Sequence, residues 1–218
     1  MAQSVEFDLG FQFRNKYYRD AERGLRAFAE DLELSYDAFT PRARKIMRDY
    51  LTNVAEAMSR RHGAPWPGGT SSNTLSKRSG QLIESIRQSV RVDGQSLDKL
   101  AGHIGSEVPY AAIQEYGGVI KARNAKYLTI PLPPALNSDG TPKKRSAREW
   151  RNTFVQTSKK GNLLIFRRKG GGIEPLYLLK PEVRIPPRLG LGDTLEAGKS
   201  FFIESLMEGL RRAMTEAT

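Results

Sequence analysis

The stretch VPYAAIQEYGGVI at residues 108–120 separates two kinds of sequence in this chain. Helical patterns and nearly balanced charge precede it, whereas short apolar runs, prolines and many Lys and Arg residues follow it. The stretch predicts one helical turn that ends at Gly117 and Gly118, because both residues can adopt positive φ and redirect the backbone into a strand. Tyr110 and Tyr116 lie on or near one face of this turn, so we expect both rings to pack on the core.

The N-terminal part of the chain predicts a strand and two helices. Apolar residues alternate with polar ones over 5–13, which is typical of a strand with one apolar face, and helical spacing begins near residue 15. Thr40 and Pro41 predict the N-cap and the first position of a second helix. This helix should end near residue 62, where Gly63 follows two arginines.

The rest of the chain predicts short elements and a final helix. Helical spacing over 79–86 passes into strand-like alternation as far as Val92, and the turn signal at 93–94 predicts a return strand at 103–105. A hairpin is expected over 153–166. Further short strands are expected at 126–131, 176–179 and 183–187, and an amphipathic helix at 195–213.

These patterns predict one α+β domain over residues 1–218, with long helices packed on a mostly antiparallel sheet and a basic β-hairpin insertion. A chain of this length is long enough to bury its own core. The expected parts are an N-terminal strand and helices at 1–62, an exposed loop at 63–80, a sheet core at 81–136, the basic insertion at 137–182, and a C-terminal strand and helix at 183–218.

The composition excludes several classes of protein. The sequence contains no cysteine, which excludes disulfides and thiolate metal sites and fits a reducing compartment such as the cytoplasm. The N-terminus lacks the basic and apolar regions of a signal peptide, so we expect no secretion. No apolar run is long enough to span a bilayer, and we expect no membrane partner.

Positive charge is concentrated in one segment. The chain carries a net charge of +11, and residues 121–188 hold sixteen Lys and Arg against four Asp and Glu. Such a patch favours contact with nucleic acid, an acidic protein surface or anionic lipid, although a solvated basic loop explains any single cluster equally well. The segment also contains aromatic residues, but most of them occupy strand positions that should face a core. Sequence-specific readout of nucleic acid is therefore not expected, whereas nonspecific phosphate contact stays open.

The sequence gives no support for catalysis. Its two histidines, His62 and His103, are predicted to have capping or surface roles. No zinc-hydrolase, Cys/His or phosphate-loop pattern is present, and Gly170, Gly171 and Gly172 follow a basic turn rather than open a helix. We therefore expect a protein that is not an enzyme, with no cofactor and no metal.

Three motifs, in this order, resemble a known family. The first consists of Trp66–Pro67, Thr74–Leu75 and SGQLIESI at 79–86, the second is YAAIQEYGG at 110–118, and the third is VRIPPR at 183–188, followed by an amphipathic helix. They resemble the neck or tail-completion proteins of long-tailed bacteriophages, including the phage virion morphogenesis proteins of Mu-like phages. The likeness runs from about residue 57 to the C-terminus. The chain departs from the family where Leu189 follows Arg188, since many members have an aromatic residue there.

The resemblance implies a structural virion protein that forms a homo-oligomeric ring, six-fold in symmetry, between the DNA-filled head and the tail. Its neighbours would be head-completion, tail-terminator or tail-tube proteins, and genomic DNA could be contacted nonspecifically. The virion would be assembled in the host cytoplasm. The alternative hypothesis, based on the residues alone, is a nonspecific nucleic-acid-binding protein that uses the basic segment 121–188.

Two groups of residues are the candidate sites. We expect Glu115 to pair with Arg184 or Arg188 of the same or a neighbouring subunit, so that Glu115→Gln weakens assembly more than folding. The expected assembly interface comprises Trp66, Tyr110, Glu115, Tyr116, Gly117, Gly118, Phe154, Phe166, Arg184 and Arg188. The expected contacts to DNA or an acidic partner are Lys143, Lys144, Arg145, Lys159, Lys160, Arg167, Arg168 and Lys169.

Overall fold

A computed structural model describes residues 11–13, 16–18, 21–67, 71 and 73–216 of the chain. It confirms the α+β class, since long helices occur together with antiparallel sheets. The described chain divides into two compact units. The first comprises the described residues of Met1–Leu51 and Gly198–Thr218 together with Arg91–His103, and the second comprises Thr52–Val90 and Ile104–Ala197.

The first unit contains helical and hairpin structure. Strand β1 (Phe11–Phe13) pairs with β2 (Lys16–Tyr18), and β3 (Arg91–Asp93) pairs with β4 (Ala101–His103), both antiparallel. The unit also includes the first part of α1 (Ala21–Arg61) and the last part of α4 (Leu191–Glu216). Phe39, Ala43 and Ala213 form its buried cluster, so the expected C-terminal amphipathic helix is confirmed.

Helix α1 is one helix where the sequence predicts two. The predicted boundary at Thr40 and Pro41 is wrong, because Pro41 lies inside the helix. Proline in a helix interior costs about 3 kcal/mol, since it removes a backbone donor and crowds the preceding turn. Phe39 and Ala43, on either side of Pro41, are both buried and hold the backbone helical across it. The predicted C-terminal end near residue 62 is confirmed.

Replacing Pro41 with alanine is expected to raise the free energy of unfolding by about 2 kcal/mol. The variant regains a helical hydrogen bond, and part of that gain is offset because the unfolded chain becomes more flexible without proline. Urea unfolding followed by circular dichroism measures the change. A variant no more stable than the native chain would indicate that Pro41 begins a second helix instead.

In the second unit, helix α2 (Gln81–Gln88) and α3 (Ala111–Tyr116) pack around one buried cluster. The strand predicted over residues 86–92 is confirmed only at its end, where β3 begins at Arg91 and pairs with β4, because helix α2 continues to Gln88. Leu82 and Ile86 are four residues apart and both buried, so burying one helical face outweighs the short alternation that follows. Each buried side chain contributes about 1.5–3 kcal/mol.

Two sheets complete this unit. Strand β5 (Gly118–Lys121) pairs with β10 (Glu182–Ile185), and the four-stranded sheet has the order β6–β9–β8–β7. Its strands are β6 (Leu128–Pro131), β7 (Thr153–Thr157), β8 (Leu163–Lys169) and β9 (Gly172–Lys180), all antiparallel. Ala135, Leu176 and Tyr177 form its core.

Several expectations at this level have different outcomes. The hairpin over 153–166 is present as β7 and β8, although it belongs to a larger sheet and its status as an insertion stays a prediction. Residues 16–18, expected at the start of a helix, form β2 instead. Residues 5–10 of the expected first strand lie outside the described residues. The prediction of a single domain with the stated internal boundaries also stays a prediction.

Candidate assembly interface

Helix α3 together with its flanking residues Tyr110, Gly117 and Gly118 forms what we call the anchor turn. Gly117 ends the helix with φ +70°, and its amide donates to Ile113 O at 3.0 Å. A Cβ at position 117 would lie 2.9 Å from Pro187 Cδ and 3.0 Å from the Ile185 carbonyl oxygen, so only glycine fits. Gly118 follows with φ +152° and starts β5. The predicted helical turn and its glycine ending are thus confirmed.

The two tyrosines of the anchor turn face solvent, so the prediction that they pack on the core is wrong. Tyr116 is 82 % exposed and Tyr110 is 43 % exposed. The buried residue of the turn is Ala111, which packs in the same cluster as Val108. Tyr116 comes five residues after Ala111, about 140° around the helix, and therefore points away from that cluster.

Within the chain, Glu115 does not form the expected pair with Arg184 or Arg188, and a pair with an arginine of a neighbouring subunit stays a prediction. Its two carboxylate oxygens accept hydrogen bonds from the backbone amides of Leu191 and Gly192, each at 2.8 Å. These amides are the first of α4, where unpaired N–H groups and the helix dipole favour a negative charge. Glu115 thus caps a helix that is distant in sequence and ties it to the anchor turn.

Because Glu115 has this role, Glu115→Gln is expected to weaken folding rather than assembly. The neutral amide keeps one acceptor and loses the charge-assisted bonds, which should lower the free energy of unfolding by about 1–2 kcal/mol. Chemical unfolding of the variant measures this loss. Glu84→Gln, an exposed substitution on α2, is the matched control and should change stability by less than about 0.5 kcal/mol.

Three exposed apolar residues lie at the end of the anchor turn and just after it, on both faces of β5. Val119 and Ile120 of β5 are exposed and follow Tyr116 closely in the chain, and we call these three residues the β5 surface. Arg184 of β10 lies opposite Val119 and is also exposed. The sheet of β5 and β10 has only two strands, so both of its outer edges lack a strand partner within the described residues. Edges of this kind can pair with another chain.

The three aromatic residues expected at the assembly interface make contacts within the chain. Phe154 and Phe166 are directly opposite on β7 and β8, and their rings stack with centroids 5.7 Å apart. Trp66 lies against the backbone of Gly140, and the Arg78 guanidinium lies 4.4 Å from its ring centroid. All three aromatic side chains are half-buried, and their burial between subunits stays a prediction.

Seven of the eight predicted basic contact residues are exposed, and Arg167 differs from them. Arg167 donates to Glu174 at 2.6 Å, and its guanidinium lies 4.7 Å from the ring centroid of Trp150. Trp150 in turn donates to the hydroxyl of Tyr177 at 3.0 Å. These partners fix the half-buried Arg167 within the sheet. The exposed residues are Lys143, Lys144, Arg145, Lys159, Lys160, Arg168 and Lys169.

His62 is buried, which corrects its predicted capping or surface role. It is 2 % exposed; its Nε2 lies 2.9 Å from Leu189 O, and its Nδ1 accepts from Leu75 N at 3.0 Å. Nδ1 must then be unprotonated, so the ring is neutral and Nε2 donates. Burial is the main cause that holds the pKa of His62 below its ordinary value of 6.5. The sequence does contain a signal for this burial, because His62 follows Met58 by four residues and therefore lies on the same side of a helix.

The described part of the chain contains no group of three or more His, Cys, Asp or Glu residues placed to hold a metal ion. None of the helices among the described residues is both long and apolar enough to cross a membrane. No family model, no curated protein and no solved structure matches this chain.

Proposed function

We propose that the chain is a structural virion protein that forms a homo-oligomeric ring at the junction of head and tail in a long-tailed bacteriophage. The proposal starts from the resemblance of its three motifs to neck and tail-completion proteins. Two of these motifs, the anchor turn and the segment that contains β10, contact each other where Gly117 lies against Pro187. Residues from two of the three motifs that carry the resemblance therefore meet in one small structure.

The observation that carries the proposal is the β5 surface. Tyr116, the most exposed of the large apolar residues described, ends α3 three residues before Val119 and four before Ile120, which are both exposed and lie on the two faces of β5 in a two-stranded sheet. Several exposed apolar residues within one short segment favour a protein contact site, and tyrosine is enriched in the centres of such sites. A ring built from one subunit type needs such a surface on each copy.

Light scattering and electron microscopy of the full chain, alone and with head and tail preparations, test this proposal. We expect rings, or oligomers that become rings on addition of tails, and co-sedimentation with finished tails. A phage that lacks the chain should accumulate separate heads and tails. A chain that stays monomeric with both preparations present would contradict the proposal.

A second candidate function is nonspecific nucleic-acid binding. Lys159 and Lys160, exposed at the β7–β8 turn, favour it, together with the exposed residues 143–145. If this function is correct, Lys159→Gln with Lys160→Gln should reduce the slope of log affinity against log salt by about two on random duplex DNA. Lys45→Gln, on the exposed part of α1, should leave the slope unchanged. The absence of salt-sensitive binding by the native chain would exclude this candidate.

A further inference from the structure

A cavity of about 530 Å³ lies beside the anchor turn in the second unit. Its wall includes Trp66 and Leu75 from the loop before α2, Tyr110 and Gln114 from the anchor turn, and Ile185 from β10. Most of these side chains are apolar or aromatic. Ligand cavities have volumes of about 300–1,000 Å³, so this one can hold an aromatic side chain and its neighbours.

The wall of the cavity is positively charged. Lys77, Arg78 and Arg188 line it, and none of the described residues that line it is Asp or Glu. Gln114 Oε1 and Arg188 Nε are buried and have no hydrogen-bond partner in the described structure. A buried polar atom without a partner is costly, so a carboxylate that accepts from the Arg188 Nε–H would be favoured, whereas Gln114 Oε1 is itself an acceptor and needs a donor. The cavity therefore suits an apolar group that is accompanied by a carboxylate.

Helix α4 presents a surface with this chemistry. Phe201 is 70 % exposed, and the exposed Glu204 follows it by three residues, so the two side chains are neighbours on one face. Met207 continues this exposed surface. The half-buried stripe of α4, which includes Leu206 and Leu210, packs against the core of the first unit and is a different face.

We propose that the cavity receives Phe201 and Glu204 from α4 of a second copy of the chain. The aromatic ring fills the apolar part, and the carboxylate faces Lys77, Arg78 and Arg188. An amphipathic helix that places spaced anchors in a groove is a common mode of protein recognition. The contact joins two different surfaces of the subunit. Such a contact builds a ring when the rotation between neighbours closes, and in this respect the inference rests on the proposed function.

Directed disulfide formation tests the contact, because the native sequence has no cysteine. Ser200→Cys, beside the two anchors, is made in a size-tagged full chain, and Gln81→Cys, on the cavity wall, in an untagged one. After mixing and oxidation we expect the tagged–untagged dimer to be at least ten-fold more abundant than for the control pair Ser200→Cys and Lys160→Cys. Equal yields from both pairs would overturn the inference.

Charge reversal provides an independent measurement. Glu204→Lys should weaken self-association by at least ten-fold with unchanged thermal unfolding, and adding Arg78→Glu should restore most of the association. Because Arg78→Glu also removes the guanidinium from the Trp66 ring, the single variant Arg78→Glu is the stability reference for the double variant. Normal assembly of Glu204→Lys, or no rescue by Arg78→Glu, would overturn the inference. If the native chain forms rings but the disulfide does not form, only this contact is wrong. If the native chain stays monomeric with head and tail preparations, the proposed function fails and the contact fails with it.

Discussion

Replacing His62 with alanine is expected to lower the free energy of unfolding by about 3–6 kcal/mol. The substitution leaves the Leu75 amide and the Leu189 carbonyl without their partner in a buried place. Each unpaired group costs about 1–3 kcal/mol, and the cavity left by the ring adds to the loss. Urea unfolding at pH 7 measures the total. A loss below about 1 kcal/mol would show that His62 does not connect these two segments.

The same residue predicts how stability depends on pH. Because burial lowers the pKa of folded His62, the unfolded chain binds a proton at a higher pH than the folded chain does. The stabilisation from neutral His62 is complete above pH 6.5 and is lost progressively as the pH falls below that value toward the folded pKa. His62→Gln should therefore reduce the fall in stability between pH 7 and pH 5.5. His103→Gln is the matched control for removing an imidazole, since the His103 side chain is half-exposed and lies 3.2 Å from Asp93 Oδ2. An equal effect of both variants would contradict this role of His62.

Placing aspartate at both Tyr116 and Ile120 is expected to weaken self-association by at least about 100-fold. Both positions lie on the β5 surface, and a contact there would have to bury two unpaired charges. The unfolding transition should stay within about 0.5 kcal/mol of the native value, because both side chains are exposed in the subunit. Analytical ultracentrifugation measures association, and circular dichroism measures unfolding.

Ile173→Asp is the matched control for this variant. Ile173 lies on β9, is 59 % exposed, and is outside the β5 surface. We expect it to associate as the native chain does. If the control variant and the β5 variant lose association equally, the loss reflects general repulsion between charged subunits and the β5 surface is not the contact.

The parts of the fold that depend on local backbone chemistry could be predicted from the sequence. The anchor turn could be predicted because two adjacent glycines follow a helical pattern, and glycine adopts the positive φ that ends a helix more readily than other residues do. The end of α1 and the β7–β8 hairpin were also predicted from local signals. The break expected at Pro41 was wrong, because burial of Phe39 and Ala43 outweighs the local preference of proline.

The candidate interface was predicted less well, because it depends on partners distant in sequence. Glu115 was expected to bind an arginine from its place beside a basic segment, whereas it binds amides 76 and 77 residues away. Tyr110 and Tyr116 were expected inside from their spacing, but spacing shows only that two residues share a face, and the core lies on the side of Ala111. The sequence around these residues contains no pattern that predicts either the bonds of Glu115 to the α4 amides or the exposure of the two tyrosines.

The pairing of β5 with β10 has a consequence for how this protein can change. Lys121 and Glu182 lie opposite each other, and the Ala122 amide donates to the Pro181 carbonyl at 3.1 Å. The sixty residues between Lys121 and Glu182 therefore begin and end at neighbouring points in space. A segment with adjoining ends can lengthen, shorten or alter its charge without displacing the strands that carry it. Variation in a lineage of such proteins should therefore concentrate in the four-stranded sheet, with the anchor turn held constant.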